Sequence, residues 1–148
     1  MNQELMKLEE WIEKLKECGK LIVVEGKKDV LALRKLGVGG KNIVSLNKPL
    51  FEIVEDVVNK NSNKNFEKNK NNTIHDKKIK NNNKNKRNNR EIIILTDLDK
   101  KGKQLYGKLK KDLCRNGCRI DSYFREFLQK NTKIRQIEGL PRYLERLK

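Results

Sequence analysis

The chain has 148 residues, a formal net charge of +16 and a hydrophobic fraction of 35%. This length predicts one domain with a modest core. No purely apolar run exceeds four residues, so we expect neither a membrane span nor a signal peptide. The basic balance favours an anionic partner such as nucleic acid, although charge does not determine the fold.

Three cysteines, Cys18, Cys114 and Cys118, cannot form an even disulfide framework. Cys114 and Cys118 are four residues apart, and no histidine lies near them in the sequence. Reduced thiols in a cytoplasmic protein explain this pattern better than a zinc site does.

The first third of the chain predicts helices and strands in alternation. An amphipathic N-terminal helix ends at Cys18, and Gly19 stops it. The elements that follow are a buried strand at Lys20–Val24, a helix at Asp29–Leu36 that Gly37 ends, a strand at Asn42–Leu46, and a helix that Asn47 caps and Pro49 enters.

Residues 60–90 interrupt the pattern with a tract of mostly Asn and Lys. The tract holds nine lysines, two arginines, one glutamate and one aspartate, which is +9 of the net +16. It has too few apolar residues to offset the entropy of ordering, so we expect a low-complexity insertion without fixed structure. A basic tether for nucleic acid is the functional alternative.

The pattern resumes after the tract. Glu91–Thr96 predicts a strand, and Gly102–Asn116 predicts a helix that Gly117 ends. The remaining predictions are a strand at Arg119–Phe124, a helical turn at Arg125–Gln129, a short strand at Lys133–Ile137 and a last helix that Pro141 opens.

This order of elements predicts the fold class. Strands that alternate with helices favour an α/β fold, with a central, mostly parallel sheet of about four strands and helices on both faces. We expect residues 1–148 to form one such domain, with 60–90 as the insertion. Ligands of such sheets bind beyond the carboxyl ends of the strands.

Acidic residues stand at two of those strand ends. Glu25 follows the first strand, and Asp97 and Asp99 follow the third. Carboxylate oxygens are the ligands that Mg²⁺ prefers, usually together with water and substrate phosphate. The sequence therefore predicts a Mg²⁺ site made by Glu25, Asp97 and Asp99, provided that the first and third strands are neighbours.

The residues around these acids suit a phosphate ligand. Both turns lead into helices, whose N-termini favour anions. Asp29 could cap or orient its helix, or contact the metal through another ligand. The residues that we expect to contact phosphate or nucleic acid are Gly26, Lys27, Lys28, Lys100, Lys101 and Gly102.

At these residues the chain resembles the Toprim domain, the nucleotidyl-transfer and hydrolysis module of topoisomerases, DnaG-type primases, 5S ribosomal RNA maturases, OLD-family nucleases and recombination mediators. Its signature is an apolar strand ending in Glu-Gly, then an Asp, and later a strand ending in Asp-x-Asp-x-x-Gly. Glu25-Gly26, Asp29 and the run from Asp97 to Gly102 match it. The chain looks most similar to small stand-alone archaeal Toprim proteins related to the maturases and primases.

The resemblance implies a Rossmann-like Toprim fold and roles for the acids. Glu25 would be the catalytic general acid or base and also a metal ligand, and Asp97 and Asp99 would be Mg²⁺ ligands. One or two Mg²⁺ ions, or Mn²⁺ in their place, would serve as cofactor. The expected partner is nucleic acid, RNA rather than DNA, with a homodimer or a larger complex as the assembly and no membrane.

Three functions remain open from the sequence. The first is a nuclease-like or nucleotidyl-transfer-type enzyme that acts on phosphodiester bonds, with RNA cleavage or processing favoured. The second is a Toprim module that binds nucleic acid or joins a ribonucleoprotein without catalysis. A phosphatase similar to haloacid dehalogenases is third, because its pattern needs a small residue where Lys101 stands and leaves Glu25 unexplained.

Overall fold

A computed structural model describes residues 2–39, 42–49, 51–59 and 91–148. The predicted insertion at 60–90 lies outside the described residues. Within them, no helix combines the length and apolar character that a membrane crossing requires.

Four parallel strands form one sheet at the centre of the described chain. The strands are β1 (Leu21–Val24), β2 (Ile43–Ser45), β3 (Glu91–Leu95) and β4 (Arg119–Ile120), in the spatial order β2-β1-β3-β4. All three pairings are parallel, and Val24 of β1 lies opposite Leu95 of β3. The predicted α/β fold with a parallel sheet of four strands is confirmed.

Helices cover both faces of this sheet. Successive side chains of a strand point to opposite faces, so Ile93 and Leu95 join one core and Ile92 and Ile94 join the other. Residues of α1, α2, α5 and α6 pack in the first core, and residues of α3 and α4 pack in the second. The helices are α1 (Gln3–Glu17), α2 (Lys27–Lys35), α3 (residues 51–59), α4 (Lys100–Arg115), α5 (Tyr123–Asn131) and α6 (Leu140–Leu147).

The N-terminal helix is fastened to the core through Trp11. This side chain is fully buried, and its indole N–H donates to the carbonyl oxygen of Phe124 at 3.0 Å. The ring also packs edge-on against Phe124 and stacks with Phe127, at centroid distances of 5.9 and 6.2 Å. A single side chain therefore joins α1 to α5 by packing and by a buried hydrogen bond.

An ion triad joins three elements at the amino-terminal half of the sheet. Lys20 Nζ lies 2.8 Å from the Glu91 carboxylate and 2.7 Å from that of Asp121. Lys20 precedes β1, Glu91 begins β3 and Asp121 follows β4. The triad therefore fixes where these strands stand relative to one another.

The C-terminal part differs from the prediction in two places. The predicted strand Arg119–Phe124 stops at Ile120, because the Asp121 carboxylate accepts the Tyr123 N–H at 3.1 Å and a helix starts there. That helix is longer than the predicted turn at Arg125–Gln129. The predicted strand Lys133–Ile137 is not formed; the stretch is irregular and leads into a 3-10 turn at Ile137–Gly139.

We expect Trp11→Ala to lower the free energy of unfolding by about 3–5 kcal/mol, the usual loss for truncating a buried aromatic side chain. Met6→Ala is the matched control, because Met6 lies on the same helix and is 54% exposed. The control should change stability by no more than about 0.5 kcal/mol. Urea denaturation of the three proteins measures both effects, and equal losses would show that Trp11 does not anchor α1.

Candidate metal centre

The two acidic turns meet at the carboxyl edge of the sheet. Because β1 and β3 are neighbours and Val24 pairs with Leu95, Glu25 and Thr96 leave the sheet side by side. The backbone N–H of Asp97 donates to Oε2 of Glu25 at 2.8 Å. The strand adjacency on which the predicted site depends is thus confirmed, and it brings Glu25 to Asp97 across 72 residues of sequence.

Asp97 lies in a crowded acidic environment. Its carboxylate is half-buried, and its pKa is raised from 3.8 to about 6. Burial is the main cause, and the nearby carboxylates of Glu25 and Asp99 add to it. The backbone N–H of Ile137 donates to Asp97 Oδ1 at 3.0 Å and opposes the rise.

Asp99 stands at the start of α4 as its N-cap. Its Oδ1 accepts the backbone N–H of Gly102 at 2.8 Å, which satisfies one of the donors that a helix leaves free at its first turn. Asp97 and Asp99 are close enough that the charge of Asp99 raises the pKa of Asp97. One carboxylate oxygen of Asp99 is thus engaged in holding the helix.

Asp29 performs the matching task at the start of α2. It is 6% exposed, and its Oδ2 accepts the backbone N–H of Gly26 at 3.1 Å. Burial raises the pKa of Asp29, and the charges of Asp97 and Glu138 act in the same direction. Asp29 therefore orients the Glu25-Gly26 turn, and it belongs to the same electrostatic cluster as Asp97.

Gly102 is buried against the Asp97 turn. A Cβ atom there would lie 1.9 Å from the carbonyl oxygen of Asp97, so only glycine fits without a shift of the backbone. The Thr96 hydroxyl donates to the Gly102 carbonyl at 2.8 Å. The missing side chain thus makes room for the Asp97 peptide, whereas Gly26 faces open space.

Four lysines surround these turns at the surface. Each is exposed, each stands in the first turn of α2 or α4, and none forms an ion pair with any other described residue. They are Lys27, Lys28, Lys100 and Lys101. Their positive charge remains available to an anion that approaches the edge.

Arg125 lies beneath the Asp97 turn, and sequence reasoning missed it as a site residue. It is 5% exposed; its Nη2 donates to the Asp97 carbonyl at 2.8 Å, and its Nε donates to the Thr96 carbonyl at 3.3 Å. The guanidinium stands 4.5 Å from the centroid of the Tyr106 ring. Burial lowers the pKa of Arg125, while the charges of the nearby acids raise it. Nothing in the sequence separates this arginine from the exposed ones.

The carboxylate oxygens at this edge are donors that suit Mg²⁺, although three of them are not arranged around one point. Among the described residues, no group of three or more His, Cys, Asp or Glu side chains is arranged to hold a metal ion. Mg²⁺ keeps several waters and is usually bound by one or two carboxylates together with substrate phosphates. Glu25 and Asp97 alone therefore fit this requirement, and a divalent cation would relieve the repulsion that raises the pKa of Asp97.

Comparison with known proteins agrees with the motifs. Residues 20–127 match the family described as the Toprim domain. A UPF0292 protein of the archaeon Methanocaldococcus jannaschii is 29% identical over 95% of this chain and 98% of its own length. Another, from Thermococcus sibiricus, is 35% identical over 90% of this chain and 85% of its own. A solved structure of a protein from Aquifex aeolicus has a TM-score of 0.62 and 29% identity, and the match covers 89% of this chain and 96% of that one.

The pKa of Asp97 gives a direct test of the acidic cluster. Without divalent ions, a pH titration followed by carbon NMR of its carboxyl group should have its midpoint at about 6. Glu25→Gln should lower this midpoint, because it removes a neighbouring charge and keeps the side-chain shape. Asp56→Asn, on α3, is the control and should leave it unchanged.

The same shift predicts how stability depends on pH. The folded pKa of Asp97 lies above its ordinary value of 3.8, so the native state binds more protons than the unfolded chain between these values. This contribution to stability is present at low pH and is lost as the pH rises through about 6. A titration midpoint of Asp97 at its ordinary value of 3.8 would contradict both the burial and the acidic surroundings of this carboxylate.

Gly102→Ala should disrupt the Asp97 turn, since the new Cβ would overlap the Asp97 carbonyl. Gly107→Ala is the matched control on the same helix, where a Cβ meets nothing within 4 Å. The control should stabilise the protein by about 1 kcal/mol, the difference between Gly and Ala inside a helix. Thermal unfolding measures both variants, and a tolerated Gly102→Ala would show that the close contact is not required.

Proposed function

The chain belongs to the Toprim domain family, and from this premise we propose that it is a Mg²⁺-dependent enzyme that cleaves or processes phosphodiester bonds in nucleic acid, RNA rather than DNA. The observation that supports the proposal is the meeting of Glu25 with Asp97. Two carboxylates from distant parts of the sequence lie at the carboxyl edge of the sheet, and exposed lysines surround them. Asp97 has a raised pKa, and groups with such shifts gather at functional sites more often than elsewhere.

Glu25 and Asp97 would hold the ion, with Asp99 as a third ligand once a carboxylate oxygen turns toward it. One or two Mg²⁺ ions, or Mn²⁺, suit these hard oxygen donors. Bound there, the ion supplies polarisation of the phosphoryl group and stabilises charge on the leaving oxygen. Asp97 is then fully ionised at neutral pH, because a nearby cation lowers the pKa of a carboxylate.

The chain's own residues divide the remaining work. Glu25 accepts the Asp97 N–H through Oε2, which leaves its Oε1 free for proton transfer. It would take the proton of the attacking hydroxyl or water as that oxygen bonds to phosphorus, and would return the proton to the leaving oxygen as the old P–O bond breaks. Lys27, Lys28, Lys100 and Lys101 would attract the phosphates. The first turns of α2 and α4 add backbone N–H groups that favour anions.

A binding module without turnover is the second candidate function. It is favoured by the position of Asp99, whose Oδ1 already caps α4 through Gly102. Losing such a cap costs about 1 kcal/mol, so metal binding by Asp99 would have to offset this loss. In this case the protein would bind nucleic acid in a Mg²⁺-dependent manner and release it unchanged.

Cleavage assays with Glu25→Gln and Asp97→Asn separate these functions. With structured and single-stranded RNA and DNA in Mg²⁺, we expect the wild-type protein to cleave RNA. Each variant should lose activity by about 10²-fold or more, in line with removal of a general acid or base or of a metal ligand. Glu52→Gln, an exposed acid on α3, is the control and should retain full activity.

Two results would change the assignment. Cleavage that survives in both variants would rule out these carboxylates as the catalytic site. Mg²⁺-dependent binding of nucleic acid by the wild-type protein, without any turnover, would identify it as the binding module.

A further inference from the structure

Two clefts flank the stretch 132–136, which follows the end of the family match at residue 127. One has a volume of about 420 Å³ and the other about 610 Å³. They share Lys133, Ile134 and Arg135 as a common wall. The shared wall of this part of the surface is therefore built by a segment that the family match does not include.

The clefts are lined by cations that have no acidic partner. All six side chains are exposed, and none forms an ion pair with another described residue. The only acid in either lining is Asp99, at the candidate metal centre. The six cations are Lys100, Lys103, Lys133, Arg135, Arg142 and Arg146.

The spacing of two of these residues works against the stability of the free protein. Arg142 and Arg146 lie four residues apart on α6, so their side chains stand on one helix face, and both line the smaller cleft. Two like charges at this spacing destabilise a helix by about 0.2–0.5 kcal/mol. An anion that bound between them would remove this repulsion, and guanidinium groups match phosphate oxygens in geometry.

The wall between the clefts is fixed in place by hydrogen bonds. The Lys133 N–H donates to the Tyr143 hydroxyl at 3.3 Å, and the Arg135 carbonyl accepts the Leu98 N–H at 2.7 Å. The Ile137 N–H donates to Asp97 at 3.0 Å. The cationic wall is thus preformed, and two of these bonds attach it to the turn that carries the acids.

Both clefts border the turn that follows Asp97. Asp99 lines the smaller cleft, while Leu98 and Lys100 line the larger one. These three residues belong to one turn, directly after Asp97. An extended anion that lay along the shared wall would therefore pass Asp99 and the turn that follows Asp97.

We propose that the two clefts form a path for single-stranded nucleic acid, which leads its phosphodiester backbone past the stretch 132–136 to the carboxylates. The proposal rests on the proposed function and names the strand form of its substrate. A positively charged groove that follows the backbone is the usual means of binding a single strand. The six exposed cations along the two clefts are the groups that would follow one such backbone.

The test measures binding without turnover. Fluorescence anisotropy in EDTA gives the affinity for a short labelled single-stranded RNA and for the same RNA annealed to its complement, at several salt concentrations. The cleft variants are Arg142→Gln with Arg146→Gln, and Lys133→Gln with Arg135→Gln. Lys111→Gln with Arg115→Gln is the matched control, because these residues are exposed at the far end of α4 and line neither cleft. Residues 60–90 are present in every protein compared.

We expect the single strand to bind more tightly than the duplex. Each cleft variant should bind it more weakly, and the slope of log K against log salt should fall in magnitude by about 0.7 for each cation removed. The control should keep the wild-type slope. Equal losses in cleft and control variants, or equal affinity for the duplex, would overturn the proposal.

Cleavage assays separate this proposal from the proposed function. If the cleft variants bind normally while Glu25→Gln abolishes cleavage, the path is wrong and the catalytic assignment stands. If the cleft variants bind weakly while Glu25→Gln cleaves like the wild type, the path stands and the catalytic assignment fails.

Discussion

The parallel pairing of β1 with β3 is the constraint on which the candidate site depends. It sets Val24 beside Leu95, so that the Asp97 peptide can donate to the Glu25 carboxylate. A slip of one residue would exchange the faces to which the β3 side chains point, and the two cores would lose their partners. The hydrophobic alternation that stabilises the sheet therefore also fixes the distance between the acids, and packing and chemistry are specified by the same register.

The structure tolerates the resulting concentration of negative charge by giving it backbone donors and one buried cation. Glu25, Asp97, Asp99 and Asp29 each accept a backbone N–H. Arg125 approaches from below and binds carbonyl oxygens of the Asp97 turn, so its charge lies close to the acids without forming a direct ion pair. Asp97 nevertheless keeps a raised pKa, chiefly because it is partly buried, and the charges of Glu25 and Asp99 add to the rise. A divalent cation bound at this edge would reduce the repulsion between the acids.

Much of the fold was predictable because its signals are local. The apolar runs before Glu25 and Asp97 are the two central strands, and Gly37 and Gly117 adopt positive φ just past helices α2 and α4, as the sequence predicted. Errors fell where a tertiary contact decides the outcome. Phe124 continues an apolar pattern, yet it belongs to a helix that packs against Trp11 of α1.

The meeting of the two acidic turns was predictable to the same extent. Motif spacing led to Glu25, Asp97 and Asp99, but Arg125 and the peptide of Ile137 reach Asp97 only through the folded chain. A backbone N–H carries no sequence signal, and a buried arginine has the same letter as an exposed one. Both contacts come from the last third of the chain, far from the motifs that they support.

The Lys20 triad makes the balance of charge differ between the two ends of strands β1 and β3. At the start of β1 and β3, Lys20 compensates part of the negative charge of Glu91 and Asp121, whereas the acids that follow these two strands repel one another. Dissolved salt screens attraction and repulsion alike. Rising ionic strength would thus weaken the attraction in the ion triad and also weaken the repulsion between the acids. The first effect destabilises the fold and the second stabilises it, so they would partly cancel in the melting temperature.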